Sequence, residues 1–147
     1  MNIRKSTVND LSRIAEIFIF NNRINYFPIF KDEHYSFGEL QVVSLVDYWK
    51  QNKEIMDNVY VYDDGIVKGF IEIHGTEIYK LYVDPFFQNN LIGKALITFA
   101  IENYKVNLWA LEKNTKAISF YQKYGFHITK YRKFEEDTTE YLIKLER

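Results

Sequence analysis

The chain has 147 residues and nearly balanced charge, with 19 lysines and arginines against 20 aspartates and glutamates. This length predicts one domain with one core, and the charge balance predicts no nucleic-acid partner. The absence of cysteine excludes a disulfide framework, a thiolate metal site and a cysteine nucleophile. No stretch reaches the about 20 apolar residues of a membrane-spanning helix, and no signal peptide precedes the first elements. We therefore predict a soluble, cytoplasmic protein without membrane contact.

Hydrophobic spacing and turn residues predict the secondary structure. A capping box at Thr7 and Asp10 marks the start of the first helix. Pro28 and Gly38 lie in an aromatic-rich segment that we interpret as a long structured loop. In chain order the prediction is a strand at 2–5, a helix, the loop at 21–39, a helix at 40–55, a strand from 59 to a turn at 63–65, strands at 66–74 and 77–83, a helix at 91–104, a strand at 106–111, a helix from 114, and strands at 126–134 and 139–145.

Two segments carry the chemical signal. In the first, Val83-Asp84-Pro85 ends a strand, a polar loop follows, and a helix begins near Leu91. Free backbone N–H groups at the start of such a helix favour an anion such as a phosphate, although an ordinary capped loop is the alternative. The second segment is a helix that runs from Asn114, carries Tyr121 on its inner stripe and ends at Gly125.

Both segments, in this order, resemble the GNAT superfamily of N-acetyltransferases. The family's later helix reads Asn-x-x-Ala-x-x-x-Tyr-x-x-x-Gly-Phe, and this chain matches it without a gap at Asn114, Ala117, Tyr121, Gly125 and Phe126. The family's phosphate loop reads Arg/Gln-x-x-Gly-x-Gly/Ala, which the chain matches at Gln88 and Gly93, with Leu91 in place of the first glycine. The resemblance covers the whole chain loosely and residues 77–126 closely, and it is closest to compact, single-domain bacterial members.

This resemblance implies an α/β (α+β) fold with a mixed, mostly antiparallel sheet, helices on both faces, and a splayed central pair formed by the strands at 77–83 and 106–111. It implies a single N-acetyltransferase domain over residues 1–147. It also implies acetyl-CoA as co-substrate and direct transfer of the acetyl group to a primary amine in a ternary complex. A non-catalytic acyl-CoA-binding or regulatory module on the same fold is the alternative. We predict no metal site, because the three histidines stand far apart in the sequence.

The resemblance places the pantetheine arm of acetyl-CoA along the strand at 77–83, where the backbone of Leu81, Tyr82 and Val83 is expected to pair with it as a further strand would. Asn114 and Phe120 are expected to touch the same arm. The pyrophosphate is assigned to Gln88, Asn89, Asn90, Leu91, Ile92, Gly93 and Lys94. A leucine at position 91 is expected to weaken this contact, because its Cβ hinders the approach of the backbone to a phosphate.

Tyr121 is the candidate general acid, since a phenol is protonated at neutral pH and can supply a proton to a leaving thiolate. A core tyrosine is the alternative. The two-residue period of a strand places Glu77 on the same face as Leu81 and Val83, which makes Glu77 the candidate general base. Glu72 is the second choice, acting through a water molecule. The oxyanion donor is assigned to the backbone N–H of Val83 or its neighbour.

The aromatic segment and the helix that follows it are expected to wall the acceptor site, with Tyr26, Phe27 and Phe30 as candidate substrate-binding residues. Each of these aromatic residues has core packing as an equal alternative. The acceptor is predicted to be a small molecule or a peptide that carries an amine, and the sequence does not choose between them. It also leaves open whether two copies dimerise through the final strands.

Overall fold

A computed structural model of the chain describes residues 2–147. Seven strands form one sheet in the order β1-β2-β3-β4-β5-β7-β6, and every neighbouring pair is antiparallel except β4 and β5. The strands are β1 (Ile3–Lys5), β2 (Val59–Asp63), β3 (Val67–His74), β4 (Glu77–Val83), β5 (Asn107–Leu111), β6 (His127–Phe134) and β7 (Tyr141–Glu146). The α-helices are α1 (Leu11–Asn25), α2 (Phe27–Phe30), α3 (Val42–Gln51), α4 (Lys53–Met56), α5 (Ile92–Asn103) and α6 (Thr115–Lys123).

Helices cover both faces of the sheet, as the resemblance implied. Phe70 and Ile71 are neighbours on β3 and point to opposite faces, because side chains alternate along a strand. Phe70 belongs to a core with α1 and α3, whereas Ile71 belongs to a core with α5 and α6. The predicted fold class is confirmed. No helix among residues 2–147 is both long and apolar enough to cross a membrane.

The central strands β4 and β5 part after two residue pairs. Glu77 pairs with Asn107 and Ile78 with Leu108, and beyond these positions β5 pairs only with β7. The edge of β4 that faces β5 therefore has no strand partner over residues 79–83. This opening is the splayed pair that the resemblance implied, and it creates a wedge in the middle of the sheet.

A β-bulge corrects the predicted orientation of Glu77. Lys80 pairs with Glu72 and Ile78 pairs with Ile73, so Tyr79 is an extra residue without a partner on β3. The extra residue reverses the alternation. Ile78 is 3% exposed and joins the core against which Leu81 and Val83 pack. Glu77 lies opposite His74 on the other face, so the prediction that Glu77 shares a face with Leu81 and Val83 is wrong.

The predicted loop over residues 21–39 is also wrong in part. Helix α1 continues to Asn25. The buried Asn21 side chain is satisfied within it by the Ile17 carbonyl and across the sheet by the Val83 carbonyl, both at 2.8 Å. The rest of the segment forms α2, with Pro28 in its first turn where proline is tolerated, and a π-helical turn at His34–Glu39. The predicted helix at 40–55 is divided at Asn52 into α3 and α4. The other predicted elements are confirmed in type.

The predicted capping box joins three elements at the start of the fold. The Thr7 N–H donates to Asp10 Oδ2 at 2.7 Å. Arg4 binds both oxygens of the Asp10 carboxylate at 2.8 and 2.9 Å, and it also contacts Asp63 at the end of β2. The hydrogen bonds from Arg4 hold the pKa of Asp10 below its usual value, against the opposing effect of burial.

The Asp10→Asn variant should lower the free energy of unfolding at pH 7 by about 2 kcal/mol, the value of a few charge-assisted hydrogen bonds. The folded-state pKa of Asp10 is below the unfolded value of about 3.9. Its stabilisation is therefore present above that value and is lost as the pH falls through the folded pKa. Urea unfolding at neutral and strongly acidic pH should show the difference from wild type shrinking in acid. Asp57→Asn, at an exposed position, is the matched control, and an equal deficit at both pH values would contradict the argument.

Candidate active site

The wedge between β4 and β5 opens into a cleft of about 1150 Å³. Its walls come from elements that are distant in the sequence: the end of α1, the splayed strands, the starts of α5 and α6, and the turn between β6 and β7. Clefts of this size, with a few polar groups among apolar ones, are the usual place for a small-molecule ligand. The cleft is therefore the candidate active site.

The free edge of β4 contributes backbone groups to the cleft. The Asp84 N–H donates to the Lys68 carbonyl on the β3 side at 2.8 Å. Because alternate residues of an antiparallel strand point their backbone groups to the same neighbour, Leu81 and Val83 point theirs into the wedge. The Val83 carbonyl already accepts from Asn21 Nδ2 at 2.8 Å and from Gln88 Nε2 at 3.4 Å. An extended ligand could therefore form hydrogen bonds with the backbone N–H and carbonyl of Leu81 and with the N–H of Val83.

One end of the cleft lies at the start of α5. Leu91, the residue before the helix, is in the left-handed conformation with φ 64° and ψ 13°, a region that favours glycine. Two residues later, Gly93 allows close packing of α5 on α6, since a Cβ there would lie 3.2 Å from the Phe120 ring. Positions 91 and 93 thus both have conformations or contacts suited to glycine, but Leu91 adopts its conformation with strain.

Two lysines bring positive charge to the same end. Lys94 lines the cleft within the first turn of α5. Lys116 Nζ donates to Gln88 Oε1 at 3.1 Å, which holds the lysine beside the loop before α5. Lys116 is in the first turn of α6, where the helix dipole disfavours a cation. The two lysines and the α5 amides together make this end suitable for an anion.

Tyr121 projects from α6 into the middle of the cleft. Its side chain is 8% exposed and packs against the Phe120 and Phe126 rings. Its hydroxyl makes no hydrogen bond within the described chain, and every fully buried side-chain oxygen or nitrogen there has a partner, so the hydroxyl must open to the cleft. Burial raises the pKa of Tyr121, and Tyr26 raises it further. The phenol therefore stays protonated at neutral pH.

Tyr26 and Tyr82 form a hydrogen-bonded pair of phenols in the wall of the same cleft. Their hydroxyl oxygens are 3.0 Å apart, and burial raises the pKa of both side chains. The Tyr82 ring packs edge-on against Phe18 of α1. The side chain of Tyr82 thus belongs to the α1 side of the sheet, opposite to the face of Leu81 and Val83.

The two candidate bases have different surroundings. Glu77 lines the cleft and has no ion-pair partner within residues 2–147. Glu72 is 4% exposed and lies outside the cleft lining. Its carboxylate binds Lys80 Nζ at 3.0 Å and His74 Nε2 at 2.5 Å. The geometry favours Glu77 over Glu72 as a group that can reach a ligand.

Most of the predicted site residues meet at this cleft. Those that line it are Tyr26, Phe30, Glu77, Leu81, Tyr82, Val83, Gln88, Asn89, Leu91, Ile92, Gly93, Lys94, Asn114, Phe120 and Tyr121. Glu72, Phe27 and Asn90 do not line it, and the Phe27 ring packs instead against Phe37. Within the described chain, no group of three histidine, aspartate or glutamate side chains could hold a metal ion.

The sequence interpretation missed several residues that shape the cleft. Asn21 is buried on α1 and donates a hydrogen bond to the Val83 carbonyl. The only sequence signal for this role was a polar residue on the apolar stripe of a helix. Lys116 could have been found from its unfavourable place in the first turn of α6. Asp32 and Glu135 also line the cleft, but no local pattern connects residues so far apart in the chain.

Comparison with known proteins identifies the family. A profile described as an Acetyltransferase (GNAT) domain matches residues 56–128. The peptidyl-lysine N-acetyltransferase YiaC of Escherichia coli K12 is 30% identical over 92 residues, which cover 56% of this chain and 63% of that protein. The alignments span between 25% and 63% of the lengths of the curated relatives.

Solved structures have the same fold over nearly the whole chain. Apo YjaB from Escherichia coli superposes with a TM-score of 0.74 at 19% identity, covering 98% of this chain and 95% of that one. The PaiA N-acetyltransferase of Thermoplasma acidophilum, solved with coenzyme A, has a TM-score of 0.69 at 21% identity and covers 99% and 98%. With the profile match over residues 56–128, the chain belongs to the GNAT family of acetyltransferases.

The strain at Leu91 makes a stability prediction. Leu91→Gly removes a left-handed leucine that costs about 1–2 kcal/mol, while the added freedom of the unfolded chain costs about 0.4–1 kcal/mol. The free energy of unfolding, measured in urea, should rise by up to about 1.6 kcal/mol, the largest difference between these two terms. Asn90→Gly is the matched control, because Asn90 does not have a positive φ, and this variant should lose stability. A loss at both positions would show that the backbone at Leu91 is not strained.

Proposed function

We propose that this chain is an N-acetyltransferase that moves an acetyl group from acetyl-CoA to a primary amine by direct transfer in a ternary complex. The observation that carries the proposal is the unpartnered Tyr121 hydroxyl, which opens from a buried side chain into a wedge whose one end suits a pyrophosphate. The name of YiaC, a peptidyl-lysine N-acetyltransferase, and the coenzyme A bound to PaiA support it. The proposal treats residues 1–147 as one catalytic domain, and the cytoplasmic location stays a prediction.

The residues of the wedge fit the parts of acetyl-CoA. The amides before α5, with Lys94 and Lys116, suit the pyrophosphate. The Leu81 carbonyl and the Val83 N–H suit the amides of the pantetheine arm. Asn114 Oδ1 accepts from the Ala117 N–H at 3.3 Å, so its contact with the arm would come from Nδ2. Acetyl-CoA supplies an activated acetyl thioester, and the chain supplies binding and proton transfer.

Glu77 is the proposed general base. A lysine-type amine has a pKa near 10.4 and must lose a proton before it can attack. The bulge at Tyr79 turns Glu77 toward the face on which α1, Tyr26 and Phe30 wall the cleft. The acceptor is proposed to enter from this face, where the base would meet the amine and not the pantetheine arm.

Tyr121 is the proposed general acid. The leaving sulfur gains negative charge as its bond to the acetyl carbon breaks, and the hydroxyl can donate a hydrogen bond to it. Because burial raises the pKa of Tyr121, the proton stays on oxygen until that charge develops. The backbone N–H of Leu81, the neighbour of Val83 along the open edge, is the proposed donor to the carbonyl oxygen. Since the chain has no cysteine, it offers no cysteine to carry the acetyl group between two steps.

A non-catalytic acyl-CoA-binding module is the second candidate, and Leu91 in place of glycine is the observation that favours it. Calorimetric titration with acetyl-CoA, followed by thiol release with a panel of amines, separates the two functions. Binding followed by amine-dependent thiol release supports the enzyme. Binding without turnover of any amine supports the module, and no binding excludes both.

Self-association is a further proposal. Strand β6 is an edge strand of eight residues whose side chains are mostly exposed. Long exposed edges pair readily with another chain, so a dimer that joins two β6 strands fits this surface.

Tyr121→Phe should lower kcat by about 100-fold or more, the usual contribution of a general acid. The affinity for acetyl-CoA, measured by calorimetry, should change little because the ring and its packing remain. Tyr104→Phe is the control, since the Tyr104 hydroxyl bonds to Tyr60 at 3.2 Å away from the cleft. Equal turnover by wild type and Tyr121→Phe would remove this residue from the mechanism.

Glu77→Gln should lower kcat/KM at pH 7 by about 100-fold. The deficit should shrink toward pH 10, where more of the amine is already neutral, so the variant's rate should rise more steeply with pH than that of wild type. Glu72→Gln should instead lower the free energy of unfolding, because it weakens the buried contacts with Lys80 and His74. Glu102→Gln, at an exposed site, controls for the loss of charge. A flat deficit across the pH range would argue against Glu77 as base.

A further inference from the structure

Five carboxylates line the far end of the cleft and form what we name the acidic rim. Two come from the segment after α2 and three from the turn between β6 and β7; they are Asp32, Glu39, Glu135, Glu136 and Asp137. Within residues 2–147, Glu39 has a histidine partner, His34 at 3.5 Å, and the other four have no ion-pair partner. The rim therefore presents uncompensated negative charge to the cleft.

The two halves of the rim meet around Tyr35. Burial raises the pKa of Tyr35, and the carboxylates of Glu39, Glu135 and Asp32 raise it further. Carboxylates from both segments thus lie close enough to one hydroxyl to act on it together. The rim is a single acidic surface made by two parts of the chain that are distant in sequence.

The rim also continues toward the centre of the proposed chemistry. Burial raises the pKa of Tyr26, its bond to Tyr82 opposes this, and Glu135 adds to the rise. Burial raises the pKa of Tyr121, and Tyr26 in turn raises it further. Glu135, Tyr26 and Tyr121 all line the same cleft.

Two lysines of the cleft stand at the end where the pyrophosphate is proposed to bind. Lys94 and Lys116 are in the first turns of α5 and α6, whereas Lys123 is in the last turn of α6. Of the other lining lysines, Lys80 is bound to Glu72, and Lys133 lies over the Trp109 ring at 4.3 Å. A concave surface with one sign of charge concentrates ligands of the opposite sign, and one carboxylate is enough to deprotonate an amine. The rim is thus more acidic than the transfer reaction alone requires.

The Tyr121 hydroxyl, which opens to the cleft from a buried side chain, gives a second reason to expect a ligand there. The side chain is 8% exposed, yet its hydroxyl has no partner in the described chain and faces the same cleft. Buried polar groups normally have hydrogen-bond partners. A ligand that reaches from Tyr121 toward Glu135 would satisfy the hydroxyl at one end and meet the rim at the other.

We propose that the acceptor carries a second positive charge besides the reacting amine, and that this charge binds the acidic rim while the amine lies between Glu77 and Tyr121. This proposal rests on the function proposed above. A linear polyamine and a lysine side chain next to basic residues in a peptide share this chemistry. In the transfer, the ammonium first gives one proton to Glu77, and the neutral nitrogen then bonds to the acetyl carbon as the carbon–sulfur bond breaks. The sulfur takes up a proton from Tyr121, and the second proton of the nitrogen restores the phenol.

The test compares acceptors that differ only in the second charge. Thiol release by wild-type protein is measured with n-butylamine and putrescine, and with two short peptides whose single lysine is flanked by alanines or by arginines. The dication of at least one pair should have a kcat/KM about tenfold higher than its partner, since opposite charges in a cleft raise encounter and binding. Raising the salt from about 0.05 M to about 0.5 M should shrink this preference.

Variants then connect the preference to the rim. Glu135→Gln combined with Asp137→Asn should reduce the preference to about twofold or less while thiol release with the monoamine stays near the wild-type rate. Asp57→Asn combined with Glu102→Gln removes the same charges from exposed positions and should keep the preference. A preference that survives in the rim variant overturns the proposal.

The outcomes also separate this proposal from the acetyltransferase function on which it rests. A preference for putrescine identifies free polyamines as the source of the charge, and a preference for the arginine-flanked peptide identifies basic peptides; both support the proposal. Equal turnover of mono- and dicationic acceptors overturns it but leaves the acetyltransferase function in place. Acetyl-CoA binding without turnover of any of the four acceptors overturns both.

Discussion

The parting of β4 from β5 after two residue pairs is the constraint on which the rest of the structure depends. Buried backbone groups need hydrogen-bond partners, and a strand at the centre of a covered sheet normally finds them in its neighbours. The edge of β4 beyond Ile78 lacks one of those neighbours. Asn21 and Gln88 meet part of the deficit at Val83. The other backbone groups on this edge can pair with an extended ligand, so the opening in the sheet can serve as a binding site.

The bulge at Tyr79 decides which side chains of β4 point to each face of the sheet. Leu81 and Val83 keep their side chains in the core with α5, so the edge that would hold a cofactor is anchored by packing. Glu77 and Tyr82 face α1 and the aromatic side chains that follow it. One extra residue in a strand thus separates the groups that would bind the pantetheine arm from the groups that would handle the amine.

Much of the fold could be predicted because each signal is local. The turn at 63–65, the proline after β4 and the glycine after α6 each end an element for a steric reason that the sequence displays. The bulge could not be predicted, because it depends on how β3 and β4 align and not on the residues of β4 alone. The end of α1 was missed because buried asparagines resemble those of a loop until their partners are known. The acidic rim was missed because folding joins positions that share no sequence pattern.

The hydrogen bond from Asn21 to the Val83 carbonyl connects β4 to α1, and so connects the two sides of the cleft. Helix α1 runs on from Asn21 to the wall that contains Tyr26, so the anchored carbonyl and the acceptor wall belong to one rigid piece. A cofactor that pairs with β4 beside this carbonyl will disturb or strengthen the same anchor. Both sides of the cleft therefore share one helix, so a ligand on either side that selects one position of α1 favours the same position for the other ligand, and this coupling is reciprocal.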